Sequence, residues 1–482
     1  MSKTNFNKND SGFKNYQNTR ISHWDQIAGK NDNGEGCGGY YHKRLQDVLQ
    51  FVVPPGQRII EIGCGRGDLL ASLKPSYGVG VDFSAQIIEC AKGRYPDLHF
   101  IHVDAHELDL QTQFDFIILS DLIDDLWDVQ KVLEQLLGLC HPRTRLLINS
   151  YSRLWEPMLK IAEKIRVAKP KLVQNWLTID DVADLLNLSG FEVIRSWQEI
   201  LWPIRTPLIA QLCNNILVKV WPFKLFAMTN FILARPCPEK LVDKPLVSVI
   251  VPARNEAGNI AQIFARTPEM GAGTELVFVE GHSQDDTFSV IEQEIAAHPE
   301  RKCQLHRQAG VGKGDAVRLG FACAQGDVLM ILDADMTVPP EDLSRFYEAL
   351  HSGRGEFING VRLVYPMDQE AMRFFNFLGN KFFSLAFSWL LGQPIKDTLC
   401  GTKALWKQDY MLIAANRKYF GDFDPFGDYD LIFGAAKLGL KITDLPIRYR
   451  ARTYGSTNIQ RWSHGWLLLR MVCFAALRIK FV

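Results

Sequence analysis

Two acidic residues separated by one position follow a short apolar run, and together they could hold a divalent cation. The run is residues 328–332, preceded by Gly326, which predicts a buried strand of a parallel sheet. Asp333 and Asp335 come directly after it, and residues i and i+2 of an extended chain point the same way. Side-by-side carboxylates are hard oxygen ligands for Mg²⁺ or Mn²⁺. A lone Asp-x-Asp is more often part of a solvated loop. Whether this pair binds a metal ion therefore depends on the residues that the neighbouring elements bring to it.

Other predicted strands of the C-terminal half also end in polar and acidic residues. Residues 247–252 open a new sheet and lead into Arg254 and Glu256, and residues 276–279 lead into Glu280. Ligands of open parallel sheets bind outside the carboxyl ends of the strands. We therefore expect these positions and the Asp-x-Asp pair to meet at one edge of the sheet.

The N-terminal half shows a second alternation of strands and helices, with a glycine-rich turn after its first strand. Residues 58–62 are followed by G-C-G-R-G at 63–67, and the next strand ends in Asp82. Glycines let the backbone turn tightly and let a ligand approach the main chain, and a carboxylate at this distance suits ribose hydroxyls. Asp68 stands where the dinucleotide fingerprint G-x-G-x-x-G needs its last glycine. The alternation predicts a doubly wound parallel α/β sheet.

Length and composition limit the classes of protein. The chain has 482 residues, too many for one ordinary domain. Lys and Arg together number 54, as do Asp and Glu, so nothing favours nucleic acid. Ten cysteines without a C-x-x-C pair indicate reduced thiols of a cytosolic protein. No apolar stretch reaches the roughly 18 residues that span a bilayer.

Composition divides the chain into five segments. The first is a disordered tail at 1–39, which is neither a signal peptide nor an anchor. Two α/β domains follow, at 40–236 and 246–465, separated by a proline-marked linker at 237–245. The last segment is a basic amphipathic tail at 466–482. The apolar residues 199–221 are expected to pack beneath the first sheet, with membrane contact as the alternative. Residues 371–392 predict a helix with a narrow polar stripe and an aromatic face, suited to a membrane interface.

Residues 40–236 resemble the class I S-adenosylmethionine-dependent methyltransferases. The resemblance rests on the order of the glycine loop, Asp82 and the later pair Asp104 and Ala105. It implies that the cofactor is held by Glu61, Gly63, Gly65 and Gly67 at its methionine part, by Asp82 at its ribose hydroxyls, and by Asp104 and Ala105 at its adenine.

The methyl acceptor is less defined. The Asn/Asp-Pro-Pro-Tyr signature of amide and base N-methylation is absent after the fourth strand, where the chain reads L-S-D-L at 119–122. This absence favours an oxygen or carbon acceptor. The nearby titratable residues, interpreted as solvated loop residues rather than as a general base, are Asp121, Asp124, Asp125 and His141.

Residues 246–465 resemble the family 2 glycosyltransferases, and within them the dolichol-phosphate mannose synthase-like, polyprenyl-phosphate group. Four motifs occur in the family's order over the C-terminal half. The resemblance implies a GT-A sheet whose nucleotide-binding residues are Pro252, Arg254, Glu256, Glu280 and Asp285. It also implies that Asp333 and Asp335 hold the metal and the sugar diphosphate. Where the family usually has Asp, this chain has Glu280.

The same resemblance implies an acceptor side. Arg362 belongs to a glycine-arginine pair, and arginine suits phosphate because of its forked donors. Either Asp397, in an Asp-x-x-x-Gly segment, or Asp430 could be the acceptor-side carboxylate. Further substrate-binding positions are Lys313, Arg452 and Ser456. The family commonly has Ser-Lys where this chain has Ser456 and Thr457.

The sequence as a whole predicts a bifunctional enzyme: a metal-dependent inverting sugar transferase joined to a methyltransferase. The expected ligands are S-adenosylmethionine, Mg²⁺ or Mn²⁺, a nucleotide-sugar donor and a lipid-phosphate or glycoconjugate acceptor. We expect a cytoplasmic location at the cytoplasmic face of a membrane, with peripheral contact. One alternative is a processive polysaccharide synthase, although Q-x-x-R-W and spanning helices are missing. The other is a methyltransferase domain that only binds its ligand.

Overall fold

The computed structural model describes residues 11–28, 37–164, 172–238, 242–362, 374–417, 429–450, 452, 454 and 461–481. The chain separates into two compact units, Met1–Cys237 with Phe481–Val482, and Pro238–Lys480. Each unit contains a seven-stranded sheet.

The N-terminal unit alternates strands with helices. Its helices are α1 (Ser11–Ala28), α2 (Cys37–Val52), α3 (Asp68–Ser72), α4 (Ala85–Arg94), α5 (Val129–Leu136), α6 (Glu156–Lys164), α7 (Ile179–Leu188) and the short α8 (Ile209–Gln211). Its strands are β1 (Arg58–Ile62), β2 (Tyr77–Asp82), β3 (His99–His102), β4 (Phe114–Ser120), β5 (Cys140–Tyr151), β6 (Phe191–Glu199) and β7 (Thr229–Pro236).

The first sheet has the strand order β3-β2-β1-β4-β5-β7-β6. Strands β1 to β5 pair in parallel, whereas β7 is antiparallel to both β5 and β6. Neighbouring residues of β1 face opposite sides of the sheet. Accordingly Ile60 and Ile62 join one apolar core, and Ile59 joins the other. The run is apolar throughout because both faces are covered. The α/β class is confirmed, with the correction that the sheet is mixed.

The N-terminal segment differs from its prediction. Residues 1–39 were expected to be a disordered tail, but residues 11–28 form α1 and α2 begins at Cys37. Polar composition suggested disorder, yet Phe13 is buried and packs edge-on against the ring of His106, 5.4 Å between centroids. The buried ring of Phe13 and hydrogen bonds from Gln17 and Arg20 hold α1 in place, although the helix itself has few apolar residues. Residues 1–10 and 29–36 lie outside the described residues.

The C-terminal unit has the same alternation. Its helices are α9 (Ala257–Arg266), α10 (Thr287–Ala297), α11 (Lys313–Cys323), α12 (Leu343–His351), α13 (Phe374–Leu391), α14 (Lys407–Ala415), α15 (Tyr429–Lys437) and α16 (Arg461–Ala475). Its strands are β8 (Val247–Ala253), β9 (Thr274–Glu280), β10 (Lys302–Arg307), β11 (Val328–Ile331), β12 (Phe357–Val361), β13 (Lys403–Trp406) and β14 (Ile442–Pro446).

The second sheet has the order β10-β9-β8-β11-β13-β12-β14. Strands β8 to β11 are parallel, and β13 runs antiparallel between β11 and β12. All four residues of β11 are buried, as the apolar run predicted. The carboxyl ends of β8, β9 and β11 therefore lie at one edge, and the loops that follow them carry the predicted site residues.

Helix α13 has its polar stripe turned inward. Asn380 and Ser384 are buried, while Phe382 and Leu385 on another face are exposed. The Ser384 hydroxyl donates to the carbonyl of Ile395 at 2.6 Å. The stripe was predicted to lie at a lipid–water boundary, but its described members, Asn380, Ser384 and Ser388, hydrogen-bond to the loop that follows the helix.

Candidate active sites of the two units

A pocket in the N-terminal unit collects several of the predicted cofactor residues. Its walls include Gly63, Asp82, Asp104 and Ala105. The Asp82 carboxylate accepts the backbone N–H of Gly65 and of Ser84, each at 3.0 Å. Burial raises the pKa of Asp82, and these backbone donors oppose the shift. The group is thus fixed at the end of β2, where it can accept hydroxyl hydrogens.

Asp104 closes the other end of the pocket. His106 approaches it twice, with the backbone N–H at 2.8 Å and the ring Nδ1 at 2.6 Å from the same carboxylate oxygen. Burial alone would raise the pKa of Asp104, but these contacts and the Gln17 amide lower it. An ionised carboxylate at this position suits an amine donor such as that of a purine.

The remaining predicted cofactor residues support the loop rather than line the pocket. Glu61 is 3% exposed and accepts the backbone N–H of Leu70 at 3.1 Å, at the start of α3. Burial raises the pKa of Glu61 well above its usual range. Gly67 has φ +78°, and a Cβ there would meet the Phe100 ring at 2.7 Å. Gly65 also has a positive φ and donates to Asp82.

Helix α1 supplies pocket walls that sequence reasoning missed. Tyr16, Gln17 and Arg20 line the pocket. The Gln17 amide donates to Asp104 at 2.7 Å, and Arg20 pairs with Asp125 at 3.1 Å. The missed signal was the spacing of Phe13, Tyr16 and Arg20, which places them on one face of a helix.

A buried polar cluster lies beside the pocket at the end of β4. The carboxylate of Asp121 accepts the Tyr41 hydroxyl and the Asn149 amide, each at 2.7 Å. Asp121 has φ +52°, a region that non-glycine residues seldom occupy outside constrained sites. Burial, and then the neighbouring Asp121, raise the pKa of the Tyr41 phenol well above its usual range. The phenol therefore keeps its proton and donates it in a hydrogen bond to the Asp121 carboxylate.

The other acids named near the methyl acceptor have separate roles. Asp124 is 1% exposed, not solvated as expected, and accepts the backbone N–H of Tyr151 at 3.0 Å. His141 lies 3.1 Å from Asp115, near the amino end of β4 and so away from the pocket edge. Neither side chain is positioned like Asp121.

In the C-terminal unit, Glu256 and Asp285 meet around one hydroxyl. Thr287 Oγ1 accepts the backbone N–H of Glu256 at 2.9 Å and donates to Asp285 at 2.5 Å. Burial raises the pKa of Glu256 to about 7, although Arg452 and Asn259 act against this. Burial would raise the pKa of Asp285, but the Thr287 donors lower it. The structure thus brings together two of the predicted nucleotide residues, whose pKa values are shifted in opposite directions.

The other predicted nucleotide residues flank this pair. Glu280, the last residue of β9, is buried and accepts the backbone N–H of Ser283 at 2.5 Å. Pro252 pairs in register with Val279 across β8 and β9. Arg254 follows β8 and is exposed. Their shared position at one sheet edge follows from the parallel pairing of the two strands.

The Asp-x-Asp pair is held by two cationic side chains. Lys313 Nζ lies 2.5 Å from Asp333, and an Arg452 Nη lies 2.7 Å from Asp335. The Thr337 hydroxyl donates to the other oxygen of Asp335 at 2.8 Å. Although burial would lower the pKa of Arg452, its contact with Asp335 raises it. This cleft therefore contains both carboxylates, which suit a metal ion, and cationic side chains, which suit a diphosphate.

The structure shows why the Asp-x-x-x-Gly segment has a glycine at position 401. A Cβ at Gly401 would occupy the space of the Lys313 ammonium and the Asp333 carboxylate. Any side chain there would push the ion pair apart. The glycine therefore belongs to the wall of the Asp333 site, a role that spacing alone did not reveal.

Asp397 forms a buried ion pair with Arg362. The guanidinium approaches both carboxylate oxygens, at 2.7 and 2.9 Å, and the Asp397 side chain has no exposed surface. Asn380 donates to it at 3.1 Å as well. Burial would raise the pKa of Asp397, yet Arg362 lowers it. The two residues thus bind each other, and the Asp397 carboxylate has no exposed surface to offer an acceptor.

Asp430 lies at the start of α15 and is 7% exposed. Arg417 Nε donates to it at 3.2 Å, and Arg318 approaches to 4.0 Å. Ser456 falls outside the described residues, as does Thr457. Of the two candidate acceptor-side carboxylates, Asp397 is the more completely enclosed by donors.

The donor set limits how a metal could bind. Within the parts of the chain that the structure describes, no group of three or more His, Cys, Asp or Glu side chains is placed to hold a metal ion. Asp333 and Asp335 therefore suit an ion that takes one or two carboxylates and completes its shell with phosphate oxygens and water, as Mg²⁺ commonly does. In the same described ranges, no helix is long and apolar enough to cross a bilayer.

Comparisons with known proteins match a family model to part of each unit. Residues 38–196 match a methyltransferase domain and residues 248–407 match glycosyl transferase family 2. The two sheets are of the α/β class. The chain is an enzyme that combines a methyltransferase domain with a family 2 glycosyltransferase domain, which confirms the recognition made from the sequence.

Three proteins similar to part of this chain are glycosyltransferases. Glycosyltransferase AglJ of Haloferax volcanii is 29% identical over 224 residues, which are 46% of this chain and 69% of that protein. Dolichol-phosphate mannosyltransferase of Pyrococcus furiosus is 31% identical over 166 residues, 34% of this chain and 46% of that protein. Polyprenol monophosphomannose synthase of Mycolicibacterium smegmatis is 27% identical, covering 44% of this chain and 80% of that protein. Each comparison spans less than half of the present chain.

Proposed function

We propose that the C-terminal domain transfers a sugar, with inversion, from a nucleotide-sugar to a polyprenyl-phosphate or related lipid-linked acceptor. The observation that carries this proposal is the cleft in which Lys313 pairs with Asp333 and Arg452 with Asp335. The names of the similar proteins support the substrate class. An acceptor of this class is borne by a membrane, so we also propose that the chain works at the cytoplasmic membrane face.

Asp333 and Asp335 would hold Mg²⁺ or Mn²⁺ in this cleft. When bound, such an ion stabilises the negative charge that develops on a departing diphosphate. Lys313 and Arg452 are themselves charge-assisted donors for phosphate oxygens. Arrival of a diphosphate gives each of these cations a second anionic partner, which draws the donor into the cleft and orients its anomeric carbon.

On the acceptor side, we assign Asp397 a positioning role through Arg362. A buried aspartate whose pKa is lowered by a bidentate arginine is a poor proton acceptor. Asp430 remains the candidate carboxylate that faces the acceptor. A phosphate acceptor has a second pKa of about 6 and needs little deprotonation, so orientation is the main task of this residue.

The experiment compares three variants of the full chain. Asp333→Asn and Asp335→Asn should each abolish consumption of nucleotide-sugar in the presence of Mg²⁺ or Mn²⁺ and polyprenyl phosphate. Asp327→Asn is the matched control, since Asp327 lies before β11, at its opposite end. Undiminished turnover in the two site variants would refute the proposal.

For the N-terminal domain, we propose transfer of a methyl group from S-adenosylmethionine to an oxygen or carbon acceptor. Asp82 and Asp104 would hold the ribose and the adenine, and Glu61 would support the glycine loop. Asp121, oriented by Tyr41 and Asn149, is the residue best placed to receive a proton from an acceptor hydroxyl. Its carboxylate is held by two neutral donors and precedes Leu122, which lines the pocket.

Calorimetry with S-adenosylmethionine, paired with an assay for S-adenosylhomocysteine release, tests this second proposal. Binding together with product release that is lost in Asp121→Asn and retained in Asp115→Asn is the expected outcome. Binding without product release under any acceptor tried would favour a domain that only binds its ligand.

A further inference from the structure

The connection between β6 and β7 presents apolar side chains to solvent. Residues 200–228 contain the short α8 and several turns. Leu208, Trp221 and Phe226 are 77%, 72% and 61% exposed. Packing beneath the sheet, as the sequence suggested for residues 199–221, therefore holds for only some of these side chains. Contiguous exposed apolar surface on a soluble domain commonly marks an interaction site.

A second segment extends this surface. In and just before α6, Leu154 and Met158 are 63% and 61% exposed. The indole N–H of Trp155 donates to the carbonyl of Phe226 at 2.8 Å, which fixes the two segments side by side. We call residues 154–161 together with residues 202–226 the apolar shelf.

The apolar shelf is anchored by buried polar contacts and is not a loose loop. Asn214 is 1% exposed, and its side-chain oxygen accepts the backbone N–H of Leu201 and of Trp202 at 2.8 and 2.9 Å. Beneath it, Lys219 and Glu199 form a buried ion pair. The side chains of Asn214, Glu199 and Lys219 are thus buried, whereas apolar side chains of the same segment, such as Leu208, Leu212 and Ile216, are exposed.

The charges of the apolar shelf indicate what covers it. Residues 200–228 contain no Asp or Glu, whereas Arg205 is exposed and Lys224 is half-buried. In residues 154–161 the one acid, Glu156, is paired with the exposed Lys160 at 2.7 Å. Tryptophan and phenylalanine beside basic residues match the chemistry of a phospholipid surface, where rings enter the acyl boundary and cations meet anionic headgroups.

The apolar shelf lies at the functional edge of the unit. Strands β5 and β6 are both antiparallel to β7, so the connection that leaves β6 starts at the same edge as the carboxyl ends of β1, β2 and β4. Helix α2 links the two places directly. The amide of Asn214 donates to the Tyr40 hydroxyl at 3.0 Å, and the neighbouring Tyr41 donates to Asp121 at 2.7 Å.

We propose that the apolar shelf docks the N-terminal unit onto a bilayer containing anionic phospholipid, with Trp221 and Phe226 in the interfacial layer. The docking itself does not depend on methyl transfer. Its consequence, that the methyl acceptor is presented from the lipid surface, rests on the proposed function of this unit.

The test is co-sedimentation of the full chain with phosphatidylcholine vesicles, with and without phosphatidylglycerol. The shelf variant replaces Leu208, Trp221 and Phe226 by serine. The control variant replaces Val173, Leu188 and Val311, which are equally exposed elsewhere. We expect the shelf variant to lose more than about tenfold in partitioning, and the control to lose little. Arg205→Gln with Lys224→Gln should remove the preference for phosphatidylglycerol.

Two readouts keep the outcomes distinct. Quenching of tryptophan fluorescence by brominated lipid should fall in Trp221→Ser, and calorimetry with S-adenosylmethionine should be unchanged in the shelf variant. Unaltered partitioning of the shelf variant would overturn the proposal. So would a wild-type chain that ignores vesicles but self-associates in a manner the shelf variant abolishes. Failure of methyl transfer alone would leave the docking result standing.

Discussion

The two units both place acidic residues at the ends of parallel strands, but they hold them with different donors. In the N-terminal unit, Asp82 is bound by the backbone N–H of Gly65 and Ser84. In the C-terminal unit, the cations Lys313 and Arg452 bind Asp333 and Asp335. At Asp82 the donors are fixed backbone dipoles, whereas at Asp333 and Asp335 they include long charged side chains.

This difference matches the charge of the proposed ligands. Backbone donors satisfy the Asp82 carboxylate without placing a positive charge beside it, which suits the neutral hydroxyls of a ribose. Lysine and arginine bring charge on a flexible stem and can also contact phosphate. We therefore expect the C-terminal site to depend strongly on its cations, and the N-terminal site on its hydrogen-bond geometry.

The largest effect is expected where a cation and an acid are fully buried. Asp397→Asn leaves the Arg362 guanidinium enclosed without its counter-charge, which should cost about 3–5 kcal/mol of unfolding free energy. Denaturant unfolding of the full chain measures it. Glu341→Gln is the control, because Glu341 pairs with Arg266 at the same 2.7 Å but is exposed; its cost should stay below about 1 kcal/mol. Equal costs would contradict the difference in burial.

The next effect concerns catalysis. Arg452→Met removes a charged donor from the cleft and should lower sugar-transfer turnover by about 10²-fold, the usual range for loss of one such donor. Arg452→Lys should recover part of the loss, since charge is kept and the fork is not. The exposed Arg345 offers a control in Arg345→Met. Wild-type turnover in Arg452→Met would mean that the cation only neutralises Asp335.

A smaller effect is expected in the N-terminal pocket. Asp82→Asn keeps one acceptor oxygen but removes the charge, so affinity for S-adenosylmethionine should fall by about tenfold. Calorimetry measures it, with the exposed Asp97→Asn as the control. An equal loss in both variants would point to a general charge effect rather than to contact with the ribose.

The sequence located the strand-end residues well because topology alone decides where they lie. Once residues 58–62 and 328–332 are assigned to parallel strands, the loops after them must share an edge with the other carboxyl ends. The antiparallel strands β7 and β13 were beyond this reasoning, since their direction depends on pairing partners distant in the chain.

Which side chains are buried, and which of them pair with each other, was harder to predict from the sequence. Asp397 could be named from its motif, but its bond to Arg362, 35 residues away, exists only in the folded chain. Apolarity in residues 199–221 does not say which side chains face outward. Helix α1 was missed because three spaced aromatic or basic residues in a polar segment are a weak signal compared with the tertiary contacts that order it.

The smallest predicted effect tests the electrostatics of the C-terminal cleft through pH. Burial raises the pKa of Glu256 from 4.5 to about 7. Between these values the folded chain holds a proton that the unfolded chain has released, so this group's contribution to the unfolding free energy declines as pH rises through about 7. Glutamine stays neutral at every pH. Glu256→Gln should therefore reduce the slope of unfolding free energy against pH by at most the amount that one bound proton contributes. Matched wild-type and variant unfolding series at several pH values measure the difference, and parallel profiles would show that Glu256 is already ionised in the folded state.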